Sequence, residues 1–135
     1  MKRTTKLIIG AVLLVAAIAV TSLINYLFSV KRYQDTIANM TFTHTNATGI
    51  PDGTYIGECD VKYVYARVQV TVHNEKITDI VLLEHRNERG SGAEGIEQEI
   101  VARQRIDVDA VSGATNSSQT IKKAVDNALS GALGN

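Results

Sequence analysis

From Leu7 to Val30 the chain carries no charge, and apolar residues dominate the run LIIGAVLLVAAIAVTSLINYLFSV. At 1.5 Å per residue, about 20 helical residues cross the hydrocarbon core of a bilayer, so this run suffices with some tilt. In lipid the backbone must satisfy its own hydrogen bonds, which leaves a helix as the form available to a single segment. Lys2, Arg3 and Lys6 precede the run and Lys31 and Arg32 follow it. Counting the α-amine, the N-terminal side is the more basic, so the positive-inside rule places the N-terminus in the cytoplasm. Tyr26 and Phe28 then fall near the outer interface. The alternative is a cleavable signal peptide, with Ala17-Ile18-Ala19 as a small-x-small cleavage site. The apolar run continues well past Ala19, which favours an uncleaved anchor. Either way the remainder of the chain leaves the cytoplasm. No cysteine lies near the end of the run to support a lipid anchor.

The formal charge of zero is a sum of unlike parts. Residues 1–32 hold five bases and no acid; residues 33–135 hold the other 9 bases and all 14 acids, so 9 − 14 = −5. An acidic body argues against a nucleic-acid surface, which needs clustered bases. A single cysteine, Cys59, excludes an internal disulfide framework and a Cys-rich zinc site. A length of 135 residues allows one domain and an appendage.

Three regions are expected: a cytoplasmic tip and transmembrane anchor over 1–31, a polar Thr- and Asn-rich stalk over 32–51, and a folded domain over 52–135. Asn39-Met40-Thr41 and Asn46-Ala47-Thr48 in the stalk match the short N-glycosylation pattern, which recurs by chance. In the domain, Thr54 to Val61 reads as a strand. Tyr63 to His73 alternates strictly, with Val64, Ala66, Val68, Val70 and Val72 on one face. Asn74-Glu75-Lys76 is a turn and Ile77 to His85 the partner strand of an antiparallel hairpin. Arg86 to Gly92 is a polar loop. Ala93 to Arg105 and Ser117 to Leu133 carry helical apolar stripes, with a short extended piece from Ile106 to Val111 between them. The fold class is therefore α+β: a small antiparallel sheet with two helices on one face, preceded by an N-terminal transmembrane helix.

One segment concentrates the chemistry: Asp107-Val108-Asp109-Ala110-Val111-Ser112-Gly113-Ala114-Thr115-Asn116-Ser117-Ser118. It runs from an extended piece through a small-residue turn into a helix start. The first backbone N–H groups of a helix have no internal partner and sit at the positive end of its dipole, which favours anions. Gly113 and Ala114 permit close approach to the backbone. Ser112, Thr115, Ser117 and Ser118 add hydroxyls. From composition alone, the favoured reading is that Ser, Thr and Asn here only cap the second helix.

Asp109 to Thr115 resembles the D-x-x-S-G-A-T flavinylation motif of FMN-binding domains. Such domains occur in flavin subunits of sodium-pumping quinone reductases, in related electron-transfer complexes and in small anchored proteins. A chance S-G-A-T in a chain of this length has odds of about three in a thousand. Asp52-Gly53-Thr54-Tyr55-Ile56-Gly57 is similar to the family's opening strand, and Lys76-Ile77-Thr78-Asp79-Ile80 with Glu84-His85 to its second hairpin strand. The resemblance implies FMN bound covalently by a phosphoester to Thr115, attached by a separate flavin transferase that uses FAD and magnesium and releases AMP. It implies that Ser112 positions the phosphate or hydroxyl, that Gly113 and Ala114 keep the site uncrowded, and that Asp109 organises the turn or serves the transfer. Ser117 is a further candidate cofactor-binding residue. The expected function is an extracytoplasmic electron carrier served by membrane or exported redox partners, a carrier more than a stand-alone enzyme. A flavin-free interaction module of the same fold, or an accessory subunit of a larger reductase, is the alternative. The hairpin turn lacks the glycine that many relatives carry.

Other residues are weaker candidates. His85 reads as a surface histidine at a strand end, able to approach the flavin. His44 and His73 have no partner at metal-ligand spacing. Cys59 reads as a small strand hydrophobe. Tyr55, Tyr63 and Tyr65 read as sheet residues, and Arg67, Arg86 and Arg89 as solvated.

Overall fold

The computed structural model describes residues 2–86, 92–93 and 95–134. It divides into two units, Met1–Asp35 and Thr36–Asn135. The first unit consists of most of α1, Arg3–Ala38. This helix is long and apolar enough to cross a membrane. At 1.5 Å per residue its 36 residues measure about 54 Å, well beyond a hydrocarbon core of about 30 Å. The helix therefore does not stop at the last apolar residue, Val30. It continues through Lys31 and Arg32 for two further turns, because residues 31–38 contain neither Gly nor Pro to end it.

The second unit is the α+β domain. Its strands β1 (Gly53–Asp60), β2 (Tyr65–His73) and β3 (Lys76–Arg86) form an antiparallel meander with β2 in the centre. Helices α2 (Ile96–Arg103) and α3 (Thr115–Ala132) follow. Helix α3 packs across β1 and β2, and α2 packs against β3. The alternation in β2 does what its period requires: Ala66, Val68, Val70 and Val72 are buried against Ile121, Val125 and Leu129 of α3 and Ile100 of α2. Each Val, Ile or Leu among them contributes about 1.5–3 kcal/mol of burial.

Strand β3 does not alternate. Its buried positions are Ile77 and Ile80, with Leu82 and His85 half-buried. The register with β2 slips twice, leaving Thr78 and Leu83 as extra residues. Each bulge re-aims the side chains beyond it. His85 consequently sits opposite Ala66, on the helix-covered face of the sheet and not on the open one. The two-residue turn Asn74-Glu75 has φ of 50° and 58°, the left-handed pair that a tight hairpin requires. Neighbouring side chains fasten this glycine-free turn: Asn74 N–H donates to Asp52 Oδ1 (2.8 Å), and Glu75 Oε1 accepts Gly49 N–H (2.9 Å).

The segment expected to be a stalk contributes to the core. Ala47 and Ile50 are buried, and Phe42 packs against the same cluster. Its backbone is fastened to α3 by Asp126, a fully buried carboxylate. Asp126 Oδ1 accepts the His44 N–H at 2.8 Å, both oxygens accept the Thr43 N–H at 3.1 Å, and Lys123 Nζ donates to Oδ2 at 2.6 Å. Lys123 also donates to Thr41 O (2.8 Å), and Ile106 N–H to Thr45 O (2.8 Å). At the far edge of the sheet, the Gln104 amide pairs with both backbone groups of Ile77 (2.6 and 2.9 Å), as a further strand would.

Strand β1 and helix α3 approach closely at Gly57. A methyl group at Gly57 would overlap the Ala124 carbonyl oxygen and the Ala128 amide nitrogen, and would come within 2.8 Å of Ala128 Cα. Backbone atoms cannot step aside as a flexible side chain can. Gly57→Ala is therefore expected to destabilise the domain by about 3 kcal/mol or more, read by denaturant unfolding of the full chain in detergent. A loss below about 1 kcal/mol would show that α3 can ride over the strand.

Asp126 generates a pH dependence. Burial pushes its carboxyl up, but the Lys123 ammonium and the His44 and Thr43 N–H groups outweigh burial, and the net shift is downward. With the folded value below the unfolded one, the stabilisation is complete above about pH 4 and is lost as pH falls through the depressed value. Asp126→Asn is expected to cost about 3 kcal/mol at pH 7, with the gap to wild type narrowing below pH 4. A gap constant down to pH 3 would rule out the clamp.

Candidate functional site

The chain leaves α2 through Gln104, in a left-handed conformation at φ 54°, and runs extended to the start of α3. Ile106 and Val108 turn into the core while Asp107 and Asp109 remain exposed. Arg105 takes Asp107 in a two-pronged ion pair (2.6 and 2.5 Å), which holds that carboxyl below the usual carboxylate range. The chain then reverses in a turn closed by Ala114 N–H donating to Val111 O at 2.9 Å. Gly113 occupies the third position of that turn with φ 79°, where an L side chain is strained and glycine is the natural choice. Among the described residues, chain neighbours aside, no atom lies within 4 Å of the place a Gly113 side chain would occupy.

Thr115 is the first residue of α3, and it is exposed. Its N-cap position is Ala114, which has no side-chain hydrogen bond to give, and no acid stands in its first turn. Ser112, Thr115 and Asn116 therefore do not act as a conventional cap. Ser118 N–H bonds Ala114 O (2.9 Å), while the N–H groups before it have no partner within the helix and stand at the positive end of an 18-residue dipole.

Most of the sequence-derived candidates converge here. Asp109, Ser112, Gly113 and Thr115 are exposed around the turn, and Ala114 is half-buried beneath it. A side-chain carbon at Gly92 would lie 3.5 Å from Ala114 Cβ, so the backbone entering α2 runs beside the motif. Ser117 stands apart. It is buried, two residues round the helix from Thr115, and belongs to the inner side of α3. Ser118, named above for its hydroxyl alone, and Lys122, which the sequence does not single out, hold the motif from below. Ser118 Oγ accepts the Val111 N–H at 3.0 Å, and Lys122 Nζ donates to Val108 O at 2.7 Å. Their signal is spacing: counted from Thr115 they stand at i+3 and i+7, one stripe of a helix.

The remaining candidates have structural roles. Tyr55 OH donates to Pro51 O (2.6 Å). Tyr65 OH donates to Glu58 Oε2 (2.9 Å), which raises the phenol pKa. Burial pushes the half-buried Cys59 thiol up, as befits a small strand hydrophobe. His44 Nδ1 lies 3.3 Å from Asp126 Oδ1, and His73 Nδ1 2.8 Å from Asp52 Oδ2. Arg67 and Arg86 are exposed, with Arg86 over the Tyr65 ring at 5.5 Å. Arg89 lies outside the described residues.

The chemistry present suits an anion: an exposed threonine at the start of a helix, a glycine turn uncrowded by the described residues, and no carboxylate in the helix's first turn. No curated protein shows a significant match to the chain. Residues 65–130 match the family model described as the FMN-binding domain. The matched stretch runs from β2 into the last turns of α3 and contains Asp109 to Thr115; β1 and α1 lie outside it. Over residues 65–130, this chain carries a domain of the FMN-binding family.

Proposed function

We propose that Thr115 carries FMN as a phosphoester and that the chain is a membrane-anchored electron carrier with its domain on the extracytoplasmic side. The observation that carries this reading is the exposed Thr115 at the start of α3 inside the family-matched stretch. Attachment by a flavin transferase balances as follows. The bond from Thr115 Oγ1 to the flavin-side phosphorus forms, the P–O bond between the two phosphates of FAD breaks, the hydroxyl proton is released and AMP leaves. Magnesium accompanies FAD as the transferase's cofactor.

This chain's own residues have definable tasks. The first N–H groups of α3 face the remaining phosphate charge. Gly113 leaves room for it, Ser112 offers a hydroxyl on the same turn, and Asp109 shapes the approach. When bound, the flavin supplies one- and two-electron chemistry, while the protein supplies attachment and orientation. A covalent link suits a domain outside the cytoplasm, where a released cofactor would be lost. The more basic N-terminal flank of the apolar run supports a cytoplasmic N-terminus. Electron donor and acceptor are then membrane-bound or exported proteins.

The test is co-expression of the full chain with a flavin transferase, followed by purification in detergent. A fluorescent band on a denaturing gel is expected, with a mass gain of one FMN less one water. Thr115→Ala is expected to lose both signals, and Thr115→Ser to keep part of them. An unmodified wild-type chain beside an active transferase would overturn the proposal.

A further inference from the structure

Lys122 is a buried cation with no evident duty in the hydrophobic core. Only 7% of its surface is exposed. An apolar residue would fill its place in α3 without the cost of desolvating an ammonium group. Burial pushes its pKa down, and the nearby Asp107 and Asp109 carboxylates oppose that shift. The Phe42 ring stands 5.5 Å from Nζ, within the range of a cation–π contact. Long helical side chains lean toward the helix N-terminus, so from two turns below Thr115 the ammonium reaches back toward the turn and donates to Val108 O. Ser118 Oγ accepts the Val111 N–H from the same stripe. The backbone of Asp109 and Ala110 is thereby held at both ends, immediately before the turn that presents Thr115.

We propose that Lys122 is a positioning residue for flavin attachment: by holding the Val108 carbonyl it fixes the Asp109–Ser112 approach in the conformation from which the Thr115 hydroxyl attacks. The proposal rests on Thr115 being the acceptor. Lys122 exchanges no atom in the step; the Oγ1–phosphorus bond forms as the FAD pyrophosphate bond breaks, and a proton and AMP depart. A carbonyl released from its donor lets the turn sample other conformations, so the loss appears in the rate of transfer more than in recognition of the domain.

The test measures flavinylation of the full chain in detergent by purified transferase with FAD and magnesium, for wild type, Lys122→Met and Lys122→Arg. Each is assayed well below its own unfolding temperature. Lys122→Met is expected to lower kcat by about tenfold to a hundredfold while KM for the chain changes by less than about threefold. Lys122→Arg, which keeps a cationic donor, is expected to recover most of the rate. Amide hydrogen exchange is expected to quicken over 109–113 in the Met variant and to stay at wild-type level at Val125 and Leu129. A Met variant that is modified at the wild-type rate, or an Arg variant no better than Met, overturns the proposal. Should the Met variant not fold, Lys122→Gln is read by the same criteria. Absence of flavin from the wild type would instead overturn Thr115 as acceptor.

Discussion

The domain depends on how closely α3 can lie on β1. At Gly57 the strand has no side chain, and Ala124 and Ala128 present the least bulk a helix can offer apart from glycine. The contact is backbone on backbone. It sets the height of α3 above the sheet, and that height decides the rest. It lets Ile121, Val125 and Leu129 interdigitate with the β2 valines. It also brings Asp126 level with the Thr43 and His44 amides and allows the Asn127 side chain to reach Glu58 O at 2.8 Å. A helix lifted by one methyl group would loosen all of these together, because close-packed interiors have no slack to absorb the shift.

Much of this architecture was legible where local chemistry and global packing agree. The β2 alternation, the hairpin, the apolar stripe of α3 and the apolar run of α1 each follow from a period that one buried face imposes. Legibility failed where the burying partner is distant in sequence. Ala47 and Ile50 are isolated apolar residues in a polar stretch, without a period to announce them; they are buried because the sheet and α3 close over them. The β3 bulges are equally silent. Nothing local in Lys76–Arg86 reveals that Thr78 and Leu83 stand outside the pairing, so His85 read as a surface residue.

The site divides along the same line. The turn could be read because its needs are local: a left-handed backbone at Gly113, small neighbours and a hydroxyl at the helix start. Its supports could not. Ser118 and Lys122 act on Val111 and Val108, and a lysine in an amphipathic helix ordinarily reads as solvated. Only the path of the chain after α2, placed beneath the motif by the packing of Ile106 and Val108 into the core, converts Lys122 into an internal hydrogen-bond donor. Ser117 shows the converse, a hydroxyl within the motif's reach in sequence that the helical turn carries inward.

The Asp126 clamp joins residues 82 and 83 positions apart, one near the start of the domain and the other in its last helix. Contacts of that separation form late, since a long loop must close before they repay its entropy. Synthesis delivers the two partners in the opposite order: Thr43 and His44 emerge early and wait, unsatisfied, for the final helix. The same helix begins with Thr115. The Asp126 clamp and the threonine that opens the helix thus become available in a single folding event, and a chain cut short before α3 would have neither a closed domain nor the residue proposed to carry the cofactor. If Thr115 is the attachment site, completion of the fold and readiness for the cofactor are one checkpoint.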